Sequence, residues 1–467
     1  MRNAIRIVSF LAVVALGISA LSCVGAPDSK PGPAGLSQAE RELMEMEAIY
    51  RQIETGDLAG AEPRLAALAA GNPTNRDYPV LRAGVLLSMG RSDEAQNVAA
   101  AETLAAPDNI DAWLVLAEIE QYKGNSKGQK DALSAVLALE PANTDALASM
   151  GDLYYDQKDY KAAETSYRAA IAAQPQHVDA LLGLGRVQYR RDDMKGSLAS
   201  VEAAMAAEPT DPRVYLDRSR IYYQIGRYED CAKDLDEAIR LAPTSSWAYL
   251  ERGKLYMDTG LSQEALADFS KSIELDDTYF LAYVYRASVY EASSQDRLAL
   301  DDYLKVIKIY PEYWYAFESA GVLAYRLGMF KEAASYFATA SGYSSETAEY
   351  LVAAGLALLR SGDAKAAKEF AGKQLARIDK EKQPTHWLAL RMVYDQLDNA
   401  AELELKASAE KSPDVKSALL FYMGSYWLGK GKTDLARIYL TLCMELKGAL
   451  TIERRMAEAD LLALGSK

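Results

Sequence analysis

Residues 246–279 read SWAYLERGKLYMDTGLSQEALADFSKSIELDDTY, and this pattern of small, aromatic and aliphatic residues returns at a fixed interval along the chain. Proline marks the interval most clearly, because the same position of successive repeats holds Pro73, Pro107, Pro141, Pro175, Pro209, Pro243 and Pro311. Asp277 occupies the one missing position of that series. Proline cannot continue a helix, so each proline is expected to follow the end of one. The period therefore predicts repeats of two short helices and a turn.

Two further positions of the repeat hold small side chains, one on each predicted helix. Small residues at fixed points on both helices allow the two backbones to approach closely. Large apolar residues at other fixed positions fill the remaining space, and a glycine between the helices supplies a positive φ at low cost. Examples of the small positions are Gly151, Gly185, Gly253 and Gly321 on first helices, and Ala163, Ala265 and Ala333 on second helices.

This repeat resembles the tetratricopeptide repeat, a helix-turn-helix of about 34 residues with characteristic small and aromatic positions. The resemblance implies an all-α chain: a right-handed α-solenoid of about twelve repeats over 42–450, closed by a capping helix over 451–467. The repeats would start near residues 42, 76, 110, 144, 178, 212, 246, 280, 314, 348, 382 and 417. Each repeat would bury its core against its neighbours alone, so the array would never fold back on itself.

Charge and cysteine content restrict the possible partners and cross-links. The chain has 52 basic and 66 acidic residues, a formal net charge of −14, which argues against nucleic-acid binding and against bulk attraction to anionic lipid. Cys231 and Cys443 fall at small positions of second helices, so we expect both to be buried packing thiols. We expect no disulfide between them, because the array would keep such distant residues apart.

The N-terminus has the layout of an export signal. It reads MRNAIRIVSFLAVVALGISALSC, with two arginines ahead of an apolar stretch. Cys23 resembles the lipidated cysteine of bacterial lipoproteins, although Ala20 and Leu21 depart from the usual order before it. The resemblance implies a signal peptide over 1–22, a diacylglyceryl group on Cys23, and a flexible Pro/Gly/Ser-rich tether over 23–41. We expect a lipoprotein anchored to a membrane of the bacterial cell envelope, on its periplasmic face or at the cell surface. A secreted protein or an uncleaved anchor is the alternative.

No constellation of residues points to catalysis. The two histidines, His177 and His386, lie several repeats apart, and neither has Cys or His at a metal-ligand spacing. Motifs of nucleophilic hydrolases, zinc proteases, P-loop proteins and dinucleotide-binding proteins are absent. We therefore expect no enzymatic activity, no catalytic residue, no metal and no cofactor.

The resemblance places a partner-binding groove on the concave face that first helices form in this family. Carried over to this sequence, the inward-facing positions hold cations and aromatic rings: Arg186, Tyr189, Arg190, Arg213, Arg220, Tyr223, Trp247 and Lys254. Arginine pairs with carboxylates and stacks on rings, so we expect a protein or peptide partner that presents an acidic segment. The alternative is that these cations neutralise the acidic positions next to them, which include Asp145, Asp152 and Asp156, with Tyr155 among them.

A second group of aromatic residues lies between residues 279 and 343. Most of these rings fit expected core positions, whereas Tyr315 and Tyr325 are expected to face the groove. Amphipathic rings are typical of interfaces, and a well-packed junction between repeats is the alternative. The carboxylate clamp known in the family uses Lys and Asn, and it is absent because its positions hold residues such as Leu114 and Ala148.

Opposite charges also recur with the period of the repeat. Arg252 and Arg286 belong to a series on first helices, and Asp234 and Asp268 belong to a series on second helices. We expect Asp234 to pair with Arg252, and Asp268 with Arg286, across the boundaries between repeats. Such pairs would fix the register of the repeats more than they stabilise the fold.

Two functions remain open on the sequence alone. The first is a non-enzymatic scaffold, tethered to the membrane through lipid, whose groove recruits a partner during assembly of an envelope complex. The second is a lipoprotein that holds a small or hydrophobic molecule for a transporter. A charged groove favours the first, and an apolar channel through the array would favour the second.

Overall fold

The computed structural model of the chain describes residues 37–343, 348–396, 401–449 and 451–465. Across these ranges the regular elements are 25 α-helices and one 3-10 helix, Leu375–Arg377, with no strand. Successive α-helices pair into helix-turn-helix hairpins, which confirms the predicted all-α fold class. The predicted signal peptide, Cys23 and most of the tether lie outside the described residues. The chain divides into two compact units, unit 1 up to Arg227 and unit 2 from Tyr228 onward.

Unit 1 begins with a helix whose start is fixed by a capping box. Ser37 accepts a hydrogen bond from the Glu40 backbone N–H, and the Glu40 carboxylate accepts one from the Ser37 N–H. This helix starts at Gln38, a few residues before the predicted start of the array at residue 42. The described helices of unit 1 are α1 (Gln38–Glu54), α2 (Leu58–Gly71), α3 (Asp77–Ser88), α4 (Ser92–Ala105), α5 (Ile110–Tyr122), α6 (Ser126–Leu139), α7 (Thr144–Asp156), α8 (Tyr160–Ala173), α9 (Val178–Arg190), α10 (Met194–Ala207) and α11 (Pro212–Gln224).

Unit 2 continues the same alternation of first and second helices and ends in a single helix. Its described helices are α12 (Tyr228–Leu241), α13 (Ser246–Asp258), α14 (Ser262–Leu275), α15 (Phe280–Ala292), α16 (Asp296–Ile309), α17 (Trp314–Arg326), α18 (Phe330–Ala340), α19 (Ala348–Arg360), α20 (Ala364–Gln374), α21 (Pro384–Asp395), α22 (Ala401–Ala409), α23 (Pro413–Gly429), α24 (Thr433–Glu445) and α25 (Ile452–Gly465). Among the helices that the structure describes, none is both long and apolar enough to cross a membrane.

Polar side chains at one position of the repeat start the first helices of unit 1. Each accepts a hydrogen bond from a backbone N–H of the first turn, which satisfies a donor that the helix itself leaves open. The ring of His177 does this for α9, with Nδ1 at 3.2 Å from the Ala180 nitrogen and Nε2 at 3.2 Å from the Asp145 carboxylate. His177 therefore has a structural role as a helix cap. The caps at this position are Asn109, Asn143, His177 and Asp211.

The turn inside each hairpin uses a residue with positive φ. Glycine supplies it in most hairpins, as at Gly90 (φ 75°) and Gly328 (φ 72°). Lys158, Asp192 and Ser294 occupy the same position in three other hairpins, with φ values of 62°, 64° and 58°. An L side chain is strained in this region, so these three turns are held by the packing of the helices around them.

The small residues on first helices make room for a large ring on the second helix. A Cβ atom added to Gly151 would lie 2.5 Å from the ring of Tyr167, which is almost fully buried. The Tyr167 hydroxyl donates a hydrogen bond to the Asp152 carboxylate at 2.7 Å. Glycine at this position therefore allows the close contact between helices that the repeat pattern predicts.

In unit 1 the buried apolar residues form successive small clusters, each shared by neighbouring hairpins. This is the series packing that the repeat predicts, in which one hairpin covers the next. The clusters run from Met46 to Ile119, from Ala117 to Leu153, from Ala148 to Val187 and from Leu181 to Ile221.

In unit 2 the expectation of series packing alone was wrong. One continuous apolar cluster extends from Tyr283 to Ala457, and helices of non-adjacent hairpins contact each other. α19 packs against α23, and α25 packs against α17 as well as against α23 and α24. The reason lies in the helices themselves, because α19 and α23 are apolar on nearly every side and bury more than one face.

The predicted charge pairs across repeat boundaries were also wrong. Arg252 Nε bonds to Asp268 at 2.8 Å, and Arg286 Nη2 bonds to Asp302 at 2.7 Å, each within one hairpin. In both hairpins the aspartate of the second helix lies directly beside the arginine of the first. Arg252 also reaches Asp236 of the preceding hairpin at 2.8 Å, so this one arginine does link two repeats.

Cys231 and Cys443 are free and buried, which confirms the prediction of packing thiols. Burial raises the pKa of the Cys231 thiol to about 12. It also raises the pKa of the Cys443 thiol above its ordinary value. Both side chains therefore stay protonated at neutral pH and act as small apolar groups.

Candidate protein-binding surface

The first helices α7, α9 and α11 lie side by side in unit 1. Residues of each repeat are numbered here from its first helix, so that residues 144, 178 and 212 are position 1. Position 12 then holds Tyr155, Tyr189 and Tyr223, three tyrosines at identical places on neighbouring helices. Tyr155 and Tyr189 are half-buried and Tyr223 is exposed. We call positions 9, 12 and 13 of these three helices the first-helix surface of unit 1.

Hydrogen bonds link each of the first two tyrosines to position 13 of the next helix. Arg190 Nε donates to the Tyr155 hydroxyl at 3.1 Å, and the Tyr189 hydroxyl donates to the Gln224 amide oxygen at 3.4 Å. The hydrogen bond with Tyr155 raises the pKa of the Arg190 guanidinium. The Arg190 side chain is exposed, and none of the described carboxylates pairs with it.

Two other predicted cations of unit 1 are neutralised by one buried aspartate of α11. Arg186 bonds to Asp217 at 2.7 Å, and Arg220 lies 3.3 Å from the same carboxylate. Asp217 is buried, so its charge needs these partners. The predicted groove therefore has fewer cations without a carboxylate partner than the sequence indicated. On the first-helix surface, Arg190 is the arginine that pairs with no aspartate among the described residues.

Arg213 is paired as well, and it helps to connect two first helices. Its Nη1 lies 2.6 Å from Asp179 on α9, and its Nη2 lies 2.6 Å from Asp211, the cap of α11. The side chain thus links the starts of the two helices, which favours the alternative of a structural role at this position.

Three more predicted groove residues belong to unit 2. Trp247 is partly exposed and stacks on Tyr279, with ring centroids 6.1 Å apart. Lys254 pairs with Glu251 of its own helix at 3.0 Å and lies over a tyrosine ring. Tyr315 is half exposed and stacks on Trp314 at 3.7 Å. These residues make local contacts within unit 2.

The assignment of Tyr325 to an open groove was wrong. Tyr325 has 2% exposure, and its hydroxyl lies 2.8 Å from both Ser425 and the Asp460 carboxylate. Arg360 Nη1 donates to the Tyr325 hydroxyl at 2.8 Å and lies 2.6 Å from Asp460. Asp460 belongs to α25, so this helix covers the position that was expected to receive a partner.

The covering helix is attached at both of its ends. Arg454 donates to the carbonyls of Cys443, Met444 and Leu446, the open acceptors at the end of α24. Arg437 donates to the Leu464 carbonyl at 2.9 Å, near the end of α25. The predicted cap helix thus does more than seal the last repeat, because it also covers positions 12 and 13 of the first helices α17 and α19, which hold Tyr325 and Arg360.

Buried acids gather where α25 starts. The Tyr422 hydroxyl donates to Glu453 at 2.8 Å, and Glu318 accepts a hydrogen bond from Tyr350. Burial raises the pKa of Glu349 to about 7, and the charges of Glu453 and Glu318 add to the effect. Burial also raises the pKa of Glu453 above its usual range. We therefore expect the contacts at the start of α25 to depend on pH in the neutral range.

The sequence matches family models described as tetratricopeptide repeat over residues 52–119, 130–175 and 148–212, and it matches further repeat models over 220–260 and 248–279. The chain contains tetratricopeptide repeats. Proteins built of such repeats are typically non-enzymatic scaffolds that bind peptides and proteins. No curated protein matches the sequence.

Several solved structures are similar to parts of this chain. One from Parabacteroides merdae, a tetratricopeptide repeat protein, shares 20% identity with a TM-score of 0.45, covering 54% of this chain and 99% of its own. PilW, a type IV pilus biogenesis factor, shares 18% identity with a TM-score of 0.40, covering 44% of this chain and 94% of its own. YrrB, which has an unusual peptide-binding site, shares 18% identity with a TM-score of 0.31, covering 40% of this chain and 95% of its own.

Sequence reasoning missed the role of α25 in this chain. Two signals were present in the residues. α23 has no charged residue from Ser417 to Gly429, with Leu420, Phe421 and Trp427 among its buried residues, and such a helix needs cover on several faces. α25 carries Glu453 and Asp460 on the same face as Met456 and Ala457, an arrangement that fits a buried polar contact better than a solvated cap.

Proposed function

We propose that this protein is a non-enzymatic scaffold of the bacterial cell envelope, anchored by lipid on Cys23, which binds a partner protein or peptide on the first-helix surface of unit 1. Its partner would belong to an envelope complex whose assembly the scaffold supports. The tyrosines of position 12 carry the proposal. In unit 1 none of the three is fully buried: Tyr155 and Tyr189 lie at the edge of the core and Tyr223 is exposed, whereas the tyrosine at the same position of unit 2 is covered by a helix.

The chemistry of this surface suits a protein ligand. Tyr189 and Tyr223 offer broad rings with a polar end, which add contact area at little entropic cost. Arg190 adds a planar cation at the centre of the row. Aromatic rings and arginine are the residue types enriched where proteins bind each other.

Site-specific photo-cross-linking in intact cells tests the surface. A photoreactive residue at position 189 or 223 should give the same cross-linked partner, and Arg190→Glu should reduce its yield. A photoreactive residue in place of Arg168, which is exposed on the second helix α8, is the matched control and should not capture that partner. Equal cross-linking at 168 and 189, or none at 189 and 223, would refute the proposed binding surface.

The lipid anchor is tested separately. Cys23→Ser should move the protein from the membrane fraction to the soluble fraction, or leave its signal peptide uncleaved. Mass spectrometry of the wild-type protein should show a diacylglyceryl group on an N-terminal Cys23. A mature protein that carries no lipid would overturn the anchoring while leaving the binding surface intact.

A further inference from the structure

The contacts that hold Asp460 in unit 2 form a small, defined binding site. The Tyr325 hydroxyl and Arg360 Nη1 both donate to the Asp460 carboxylate, at 2.8 Å and 2.6 Å. The guanidinium of Arg360 lies 4.6 Å from the ring centroid of Phe330, and Phe330 packs edge-to-face against Tyr325 at 5.1 Å. A tyrosine, an arginine and a supporting ring thus receive one carboxylate from an amphipathic helix.

Unit 1 contains an equivalent set of residues, each at the same position of the repeat and five repeats earlier in the chain. Tyr155, Tyr160 and Arg190 stand where unit 2 has Tyr325, Phe330 and Arg360. Their mutual geometry is similar, because Arg190 Nε donates to the Tyr155 hydroxyl at 3.1 Å and the Tyr155 and Tyr160 rings lie 5.6 Å apart in a tilted arrangement. Among the described residues, the pair of tyrosine at position 12 and arginine at position 13 of the next repeat occurs at these two places.

The two sites differ in occupancy. Asp460 fills the site in unit 2, whereas no carboxylate among the described residues pairs with Arg190 in unit 1. We propose that Tyr155 and Arg190 bind a carboxylate side chain carried by an amphipathic helix of the partner protein, as Tyr325 and Arg360 bind Asp460. This inference rests on the proposed function, since it names the ligand chemistry of the same first-helix surface.

The surroundings of the site specify the ligand further. Position 9 carries Val322 in unit 2 but Asp152 in unit 1, so an apolar flank on the ligand helix would be disfavoured in unit 1. Position 13 of the tyrosine's own helix carries Arg326 in unit 2 but the exposed Asp156 in unit 1. The partner helix should therefore carry a Lys or Arg about one turn from its Asp or Glu, to meet Asp156 while the acid meets Arg190.

A peptide derived from α25 tests the site directly. The probe is a fluorescent copy of residues 451–465 with Met456→Lys, which places a cation one turn before Asp460. Binding to the full chain is followed by anisotropy. We expect measurable binding to the wild-type protein, and at least about tenfold weaker binding to Arg190→Gln and to Tyr155→Phe. A second peptide that also carries Asp460→Asn should bind the wild type at least about tenfold more weakly. The affinity of this second peptide should fall little further in the Arg190→Gln variant, because both changes remove the same interaction.

Arg168→Gln, which changes an exposed arginine of the second helix α8, is the matched control, and its affinity for the probe should equal that of the wild type. Loss of binding in Arg360→Gln alone would show that the peptide replaces α25 in unit 2, which overturns the site in unit 1. No detectable binding of the probe to the wild type, or equal binding to wild type and Arg190→Gln, also overturns it. The cross-link at position 189 distinguishes a failure of the carboxylate site from a failure of the wider proposal that the surface binds a partner. A partner that still cross-links there when the peptide fails would mean that the surface binds by other chemistry.

Discussion

Units 1 and 2 are built from the same hairpin, yet they use the first-helix surface in opposite ways. In unit 1, Tyr155 is half-buried and Arg190 is exposed. In unit 2, Tyr325 and Arg360 lie under α25 and bond to Asp460. A position of the repeat therefore has no fixed role of its own. Whether it binds a partner or belongs to the core depends on whether the chain supplies a helix to cover it.

The difference follows from the polarity of the neighbouring positions. In unit 2, Val322 and Leu356 make the surface apolar at position 9, so leaving it in water would be costly. In unit 1 the same position holds Asp152 and Arg186, which stay partly hydrated and bond within the unit. Unit 1 can leave its surface open, whereas unit 2 needs a cover for stability.

Removing the carboxylate that fills the site in unit 2 should have the largest effect on stability. Asp460→Ala leaves the largely buried Arg360 without its counter-ion. We therefore expect the free energy of unfolding of unit 2 to fall by about 3 kcal/mol. Arg190→Ala changes the equivalent exposed arginine in unit 1. The free energy of unfolding of this variant should stay within about 0.5 kcal/mol of the wild-type value. Urea unfolding, with hydrogen exchange resolved for α17 and α9, measures both. Similar losses for the two variants would mean that the sites do not differ in burial as described.

The acids at the start of α25 should make unit 2 the pH-sensitive half of the molecule. The pKa of Glu349 is raised from 4.5 to about 7 by burial, so the folded state keeps a proton that the unfolded state releases. The resulting stability is complete below about pH 4.5 and is lost as the pH rises to about 7. We expect the free energy of unfolding of unit 2 to fall by about 2 kcal/mol over this range. Repulsion between the ionised Glu349 and the neighbouring Glu318 and Glu453 contributes to this loss.

Glu349→Gln should remove most of that pH dependence. Its counterpart in unit 1, Asp179, is paired with Arg213, so Asp179→Asn should not make unit 1 more stable at pH 8. Hydrogen exchange of α25 and α9 between pH 5 and 8, corrected for the intrinsic exchange rate, measures the pH dependence of unit 2 and of unit 1 separately. An α25 that is equally protected at both pH values in the wild type contradicts the prediction.

Adding a methyl group at equivalent close contacts should show how far a disturbance spreads. Gly151→Ala would force a Cβ to 2.5 Å from Tyr167, and Gly321→Ala would force one to 2.7 Å from Phe337. Each substitution should lower the free energy of unfolding by about 1–3 kcal/mol, because the added methyl group overpacks the contact. We expect lost protection to stay near α7 and α8 in unit 1 but to reach α23 and α25 in unit 2, whose core is one cluster. Confinement of both effects to a single hairpin would show that the shared cluster does not couple the helices of unit 2.

The smallest expected effect concerns the turns. Lys158 adopts φ 62° where the equivalent turn of unit 2 has Gly328 at φ 72°. Lys158→Gly should relieve the strain of the left-handed conformation and stabilise unit 1 by about 0.5–1 kcal/mol. Gly328→Lys should destabilise unit 2 by a similar amount, and the exposed Lys161→Gly on α8 serves as a helix control that should destabilise. A Lys158→Gly variant that is less stable than the wild type would mean that the turn carries no strain.

Much of the hairpin architecture could be read from the sequence, because its determinants are local. The regular spacing of the prolines and the small residues such as Gly151 report contacts within a hairpin or between neighbours. The pairing of Arg252 with Asp268 was misassigned because the repeat period gives no sign of which of two similarly spaced aspartates is the nearer in space.

The cover over Tyr325 could not be predicted from the same pattern. Its contact with Asp460 joins residues 135 apart in sequence, and nothing in a repeat reports a contact that occurs once. For the same reason the sequence predicted one continuous groove of cations. The pairing of Arg213 with Asp179 and Asp211 depends on side-chain directions that spacing alone does not fix.

The salt bridge between Arg455 and Glu291 has a consequence for how the protein is made, since 164 residues separate its two partners. At ribosomal speeds of about 5–20 residues per second, Glu291 would wait roughly 8–33 s for Arg455 to be synthesised. Hairpins of unit 1 can close as they emerge, but the apolar faces of α17, α19 and α23 are made within that interval, and each stays without its α25 contacts until α25 follows. Nascent chains at this stage are the ones that chaperones of the cell would need to shield.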